Sequence, residues 1–343
     1  MNIFEPRNTR TPKPRSGREP INDADSGHVK VIGKRDIIMA DMNKKIEEIV
    51  VKAAGVAIID DEGLLVADDE WTEEREELAK SLLDQDKKLV APFWQSKYEK
   101  EAAKSWDLFY KRNSTNFYKD RCGHPSLRLG LRRRGTHSHI SSCFLITISQ
   151  KTWLLEVGCG VGNAALPLLE VNPRLHVVAI DFADKAVELF RCQPLFDPSR
   201  CHVSVCDITK DPLPAIIDAE HGVNFALFMF CLSALHPDKM QAAVQKIADA
   251  VKPGGKIFFR DYGRYDQAQL RFKPGHKLSD NFYVRQDNTR AYYFTTVDEV
   301  RDLFAAAGLI ERENEYIRRQ YANRSQGVVR FRVWIHAVFE KPV

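Results

Sequence analysis

Apolar residues change their spacing along this chain near residue 93 and again near residue 152. From 152 onward, near-continuous apolar runs alternate with stretches of helical spacing. The runs are TWLLEVG (152–158), LHVVAID (175–181), CHVSVCD (201–207), VNFALFMF (223–230) and GKIFFRDY (255–262), with helical patterns between them at 162–170, 183–192 and 238–251. Strands that are apolar on both faces and joined by helical crossovers predict a parallel sheet covered by helices on each side. A last apolar run, FRVWIHAVFE (331–340), predicts an antiparallel edge strand added late. The expected fold is α/β and Rossmann-like: a mostly parallel sheet over 152–343, with one antiparallel edge strand and a helical N-terminal extension.

Ahead of that domain, Trp94, Tyr98, Ala102, Trp106 and Tyr110 recur every fourth residue and predict one helix face within a region spanning 93–121. Ordinary core packing is one account of that face. The other is that Trp106 and Tyr110 close over a ligand. Residues 41–92 hold short helical patterns rich in Glu and Asp, such as 71–84, and predict a loosely attached acidic arm. Residues 1–40 mix Pro, Arg, Asn, Asp and Gly with little apolar periodicity, which predicts a disordered basic tail.

Charge sharpens this division. The formal net charge is +4 overall, but residues 1–40 carry +3, 41–92 carry −8, 93–150 carry +7 and 151–343 carry +2. A polyanion would meet the basic, aromatic segment, unless these charges merely solvate a surface. No apolar run approaches a membrane span, and the N-terminus lacks a secretory apolar stretch. Seven scattered cysteines suit a reducing compartment. The expectation is a cytoplasmic protein without membrane contact, with the nucleus as second compartment.

The candidate chemistry starts where the first strand runs into Glu156-Val157-Gly158-Cys159-Gly160-Val161-Gly162. Glycines at the carboxyl end of a strand let backbone approach a ligand. Alone they do not choose the ligand. A dinucleotide site would place its third glycine where Ala164 or Ala165 stands. The acids discriminate better. Asp181, ending the second strand, suits a ribose diol; Asp207, ending the third, suits an adenine amino group; Met229 or Phe230 suits the adenine wall. Glu156 suits the loop or a methionine ammonium. Several carboxylates favour the cationic sulfonium of S-adenosylmethionine over the pyrophosphate of NAD or FAD. Cys159 reads as a small turn residue with no paired base.

Five strings then carry a resemblance: SWDLFYKRNSTNFYKDR (105–121), LLEVGCGVGN (154–163), FCLSALHPDKM (230–240), RDYGRYDQAQLRFK (260–273) and NFYVRQDNTRAYYFT (281–295). Over 92–121 and 152–343 the chain resembles the tRNA (cytosine-32-N3)-methyltransferases, a class I Rossmann-like family, and the resemblance implies a mostly parallel seven-stranded sheet with an antiparallel edge strand. The first string is most similar to the branch acting on serine tRNAs. The resemblance implies 3-methylcytidine formation in the anticodon loop, with S-adenosylmethionine as cofactor, tRNA as substrate and seryl-tRNA synthetase as partner. It also implies that Trp106, Tyr110, Gly158, Asp181, Asp207 and Met229 contact the cofactor, beside Glu156 and Gly160 from the glycine turn.

Cytosine N3 carries a lone pair, so no proton need leave before transfer, and His236 reads as a packing or capping residue. The product is cationic, which makes Asp261 in RDYG the candidate to stabilise developing charge; a salt bridge to Arg260 or Arg264 is the competing account. Tyr262, Tyr265, Phe282 and Tyr283 are available to stack a base. Arg264, Arg271, Lys273, Lys277, Arg285 and Arg290 are candidates for phosphate, with Arg318, Arg319, Arg324, Arg330 and Arg332 in a stretch free of acids from 316 to 339.

Residues 122–151 depart from the family pattern. They read CGHPSLRLGLRRRGTHSHISSCFLITISQK without one acid. A substituted basic loop is one explanation; a segment from a mistaken reading frame or retained intron is the other, favoured by the abrupt change between well-matched flanks. Cys122, His124, His137 and His139 lack the spacing of a standard zinc module, so no metal is expected. Two other functions stay open here: a methyltransferase acting on a protein or small molecule, and an RNA-binding homologue without activity.

Overall fold

The computed structural model describes residues 58–59, 64–68, 71–115, 150–323 and 328–343. The tail expected at 1–40 and nearly all of the atypical segment at 122–151, with its candidate metal ligands, lie outside the described residues.

One nine-stranded sheet organises the chain, in the order β1-β2-β11-β12-β7-β6-β3-β4-β5. Its parallel half consists of β3 (Thr152–Val157), β4 (Leu175–Asp181), β5 (Cys201–Val205), β6 (Val223–Met229) and β7 (Val251–Tyr262). These are the five apolar runs of the sequence. Their alternate side chains feed two cores: Leu155 and Val157 lie in one with Met240, Val244 and Phe304, while Leu154 packs in the other with Leu166, Leu169 and Phe190. Helices therefore cover both faces, as the continuous apolar strands required. They include α4 (Ala165–Val171) and α5 (Asp184–Arg191) on one side and α6 (Pro237–Ala250) and α7 (Val297–Ala305) on the other.

The late antiparallel strand is β12 (Val328–Glu340), and it has neighbours on both sides: β7 inside and β11 (Ile310–Asn323) outside. Two short strands, β1 (Ile58–Ile59) and β2 (Leu64–Asp68), continue the antiparallel margin beyond β11. Three more, β8 (Lys277–Ser279), β9 (Phe282–Val284) and β10 (Arg290–Tyr292), form a separate small sheet.

Of the acidic arm expected at 41–92, residues 41–57, 60–63 and 69–70 lie outside the described residues, and the helical part from residue 71 differs from the loose attachment expected. Helix α1 (Glu73–Gln85) is capped by Thr72, whose hydroxyl accepts from Arg75 N, and it has Glu73, Glu74 and Glu76 in its first turn. Its Ala79 and Leu82 pack with Tyr265, Leu270 and Phe331. Arg75 is fully buried, its guanidinium 4.5 Å from the Trp71 ring and 4.2 Å from the Phe331 ring. A docked apolar face and an aromatic-flanked cation replace the loose attachment that the acidic composition suggested.

The aromatic stripe also departs from one continuous helix. It splits into α2 (Pro92–Lys100) and α3 (Ala102–Asn113) at Glu101, whose ψ of 14° leaves the helical range. Phe93 and Trp94 stand in solvent, while Phe109 and Tyr110 are buried. Asp107 on α3 accepts a 2.9 Å bond from Lys185 N in the first turn of α5, a helix whose own N-cap, Ala183, offers no side-chain bond. This contact docks α3 beside the strand carrying Asp181.

Candidate functional site

A cleft of about 450 Å³, counted out to open solvent, lies at the carboxyl ends of β3 and β6. Its floor is the glycine turn. Gly158 and Gly160 have φ of +68° and +54°, a region that favours glycine, and both are closely approached. A Cβ on Gly158 would lie 2.4 Å from Cys231 Sγ, and one on Gly160 would lie 2.6 Å from the Tyr110 hydroxyl. Trp106 and Tyr110 of α3 make the roof, and Met229 and Phe230 at the end of β6 make the far wall. Glu156 lines the cleft and accepts a 3.1 Å bond from Ala165 N, so it also ties the turn to α4. Six of the eight expected cofactor residues thus meet in one place: Trp106, Tyr110, Glu156, Gly158, Gly160 and Met229.

The other two, Asp181 and Asp207, are not among the lining residues. Asp181 is buried, with one carboxylate oxygen accepting from Gly160 N and the other from Ala183 N, both at 2.9 Å. It bolts the glycine turn to the end of β4. Burial raises its pKa to about 6, against the downward pull of those N–H donors. Asp207 sits two residues past β5, and its carboxylate turns into its own loop, accepting from the backbone N–H and hydroxyl of Thr209 at 2.9 and 2.7 Å. Burial pushes its carboxyl up, but Thr209 and Lys210 outweigh that and hold it below the usual carboxylate range.

Asp261 does not reach the cleft either. It is fully buried, and its two oxygens accept from Ser233 N at 2.8 Å and from Tyr262 N at 2.9 Å. Burial pushes its pKa to about 6. The expected contact with a reacting base is therefore corrected to a positioning role: Asp261 braces the turn Leu232–Ala234, which follows the cleft wall. His236 accepts from Asp238 N at 3.3 Å and caps α6, as its place before Pro237 implied.

Beyond Phe230 the wall continues as an aromatic cluster. The Phe230 ring lies 5.1 Å from Tyr262 and 5.9 Å from Trp334. Arg285 and Arg332 lie over the Tyr262 ring at 5.2 and 5.6 Å, and Arg332 lies over Trp334 at 5.7 Å. Arg271 and Lys273 are exposed on the approach to β8, and half-buried Arg264 lies over Tyr265 at 4.7 Å. Two expected RNA contacts are corrected. Tyr283 is buried and stacked on Phe272 at 4.7 Å, leaving no face for a base. Arg290 is buried and paired with Glu99, with a second nitrogen donating to Ala234 O at 3.2 Å.

Comparison with known proteins adds the family. A model described as a methyltransferase domain matches residues 155–257. Human tRNA N(3)-cytidine methyltransferase METTL6 is 46% identical over 260 residues, covering 76% of this chain and 87% of that protein. Zebrafish (Danio rerio) tRNA N(3)-cytidine methyltransferase METTL2 is 37% identical over 298 residues, covering 79% and 83%. This chain belongs to the tRNA N(3)-cytidine methyltransferase family. Among solved structures, a SAM-dependent methyltransferase from Anabaena variabilis is similar with a TM-score of 0.49 at 12% identity, covering 70% of this chain and 94% of that one.

In this methyltransferase, sequence reasoning missed Asn163 and Val161, which line the cleft, and Trp334, which closes the aromatic cluster behind Phe230. The first two lie inside the LLEVGCGVGN string and follow from the turn itself. Trp334 carries no local signal: it reaches the cluster only because β12 pairs with β7 in the register Trp334↔Tyr262.

Proposed function

We propose that this chain forms 3-methylcytidine at position 32 in the anticodon loop of serine tRNA, with seryl-tRNA synthetase as partner. The enzyme is a tRNA (cytosine-N3)-methyltransferase and its methyl donor is S-adenosylmethionine. The observation that carries the reading is the cleft itself: a glycine cradle, one carboxylate and two roof aromatics, opening onto an arginine-flanked aromatic wall. Serine tRNA is favoured by the 105–121 string and by the higher identity to METTL6 than to METTL2 relatives.

The cradle fits the cofactor, because Gly158 and Gly160 line the cleft with bare backbone, and a Cβ at either would displace Cys231 or the roof residue Tyr110. Trp106, Tyr110, Glu156, Gly158, Gly160 and Met229 would hold it. When bound, S-adenosylmethionine supplies an electrophilic methyl group on a sulfonium. Glu156 presents negative charge to that cation, and the roof aromatics present ring faces. An unpaired cytosine would enter along Phe230 and Trp334, with Arg285 toward its phosphates and Arg264, Arg271 and Lys273 further out, while Arg332 is held in the wall by Asp266 at 2.8 Å. The N3 lone pair attacks without a general base, so positioning supplies most of the acceleration. The thiols beside the cradle do not intervene. Burial, then the carboxylate of Asp181, pushes both Cys159 and Cys231 well above the ordinary thiol range, and they stay protonated.

The test of the finer reading is methylation of unmodified serine and threonine tRNA transcripts, each with and without seryl-tRNA synthetase. Serine tRNA should be modified at cytosine 32, with the synthetase raising the rate about tenfold or more, a scale set by one coupling of about 1.4 kcal/mol. Preference for threonine tRNA, or indifference to the synthetase, would remove the serine assignment.

A further inference from the structure

The buried ion pair that removes Arg290 from the RNA surface gives it another task. Glu99, on the last turn of α2, accepts from both Arg290 of β10 and Lys239 of α6. The guanidinium of Arg290 lies over the Phe282 ring at 5.6 Å, and its second nitrogen holds Ala234 O at 3.2 Å. Ala234 ends the turn that follows Met229, Phe230 and Cys231, the same turn whose Ser233 N–H is held by Asp261. That turn is thus gripped from inside by a carboxylate and from outside by a guanidinium. Glu99 stands three residues before α3, which carries the roof residues Trp106 and Tyr110.

We infer that Glu99 and Arg290 form a latch joining the roof of the cofactor cleft to its substrate-facing wall, making both of them positioning residues for methyl transfer. The chemistry of the pair suits this use. An arginine fork can span two acceptors in fixed geometry, and here one acceptor, Glu99, belongs to the roof side and the other, Ala234 O, to the wall. A lysine at 290 would keep the charge but could not hold Glu99 and Ala234 O together. A guanidinium only 6% exposed is also poorly placed for phosphate. Lys239 supplies a second positive charge to Glu99, so the helix end stays anchored to α6 when Arg290 is changed.

This inference rests on the methyl-transfer reading, and it is tested with the full chain by Arg290→Lys, Arg290→Gln, Glu99→Gln and the double variant Glu99→Gln/Arg290→Lys. Arg290→Lys should lower kcat about tenfold with KM for tRNA unchanged within about twofold, the split expected when alignment rather than binding is lost. Glu99→Gln should weaken S-adenosylhomocysteine binding by about fivefold, and the double variant should bind it no worse than the weaker single, as members of one unit do. The salt dependence of tRNA binding should keep its slope in Arg290→Gln; a phosphate contact would cut that slope by about 0.7 to 0.9. A reduced slope, additive losses in the double variant, or wild-type kcat in Arg290→Lys would each overturn the latch. If wild-type protein transferred no methyl group to tRNA, the methyl-transfer reading would fall separately, and the binding arms would still decide the coupling.

Discussion

Replacing Asp181 with alanine should weaken S-adenosylhomocysteine binding by about 30- to 1,000-fold while the protein remains folded. The reason is the glycine turn. Asp181 satisfies the N–H groups of Gly160 and Ala183, and its loss leaves two buried donors without their acceptor. Charge-assisted bonds of this kind are worth roughly 2 to 4 kcal/mol together, which sets the range. Asp181→Asn keeps one acceptor and should fall between the two. Acid gives a second handle on the same group. With its pKa raised to about 6, Asp181 takes up a proton as pH falls through that value, so affinity should hold above about pH 7 and decline below 6. Stability carries the opposite sign. The folded chain holds this proton more tightly than the unfolded chain, whose value is 3.8, so the carboxyl's contribution favours folding in acid and is lost as pH rises through about 6. Calorimetry and thermal melts at pH 7.5 and 5.5, wild type against Asp181→Asn, separate the two trends. Equal affinity of Asp181→Ala and wild type would remove Asp181 from the site.

Gly158→Ala should damage the cleft almost as severely. The new methyl group meets two obstacles at once: a φ of +68°, and a sulfur 2.4 Å from the position of its Cβ. The backbone part costs roughly 1 to 2 kcal/mol and the overlap adds about 1 to 3 more. Only the overlap can be relieved by changing the neighbour. Gly158→Ala/Cys231→Gly, which removes both the sulfur at 2.4 Å and the Cys231 Cβ at 2.6 Å, should therefore recover part of the cofactor affinity and of the melting temperature, and never all of it. Full recovery would mean the backbone is unstrained there, and no loss in the single variant would mean the cradle is looser than described.

The parallel half of the fold was legible because strands largely buried on both faces, the edge strand β5 excepted, leave continuous apolar runs, and each lies within two or three residues of its expected place or a few residues longer. β11 was not. Its IERENEYIRRQYAN sequence is mostly polar, with no two-residue alternation of apolar positions, and reads as surface, yet it pairs along its whole length with β12. The cofactor cleft was legible from the glycine turn, but the direction of a carboxylate was not: Asp181 and Asp207 stand near their expected strand ends, yet Asp181 turns its oxygens to Gly160 N and Ala183 N, and Asp207 turns into its own loop. Burial of charge was the least legible property. Arg290 was read as a phosphate contact and Arg75 carried no signal within its acidic stretch; tertiary partners, among them aromatic faces for Arg75 and Glu99 for Arg290, make their burial tolerable. Tyr283 was assigned to RNA by its basic neighbours, although the alternation within β9 and β10 places it in a cluster with Tyr293.

The central claim is that this cleft transfers a methyl group to N3 of cytosine in tRNA. It is tested most directly by incubating the full chain with tritiated S-adenosylmethionine and total tRNA from a strain lacking the modification, then resolving the nucleosides. The account predicts label in 3-methylcytidine, abolished by Asp181→Ala. Label in another nucleoside, or in protein and not in tRNA, would contradict it.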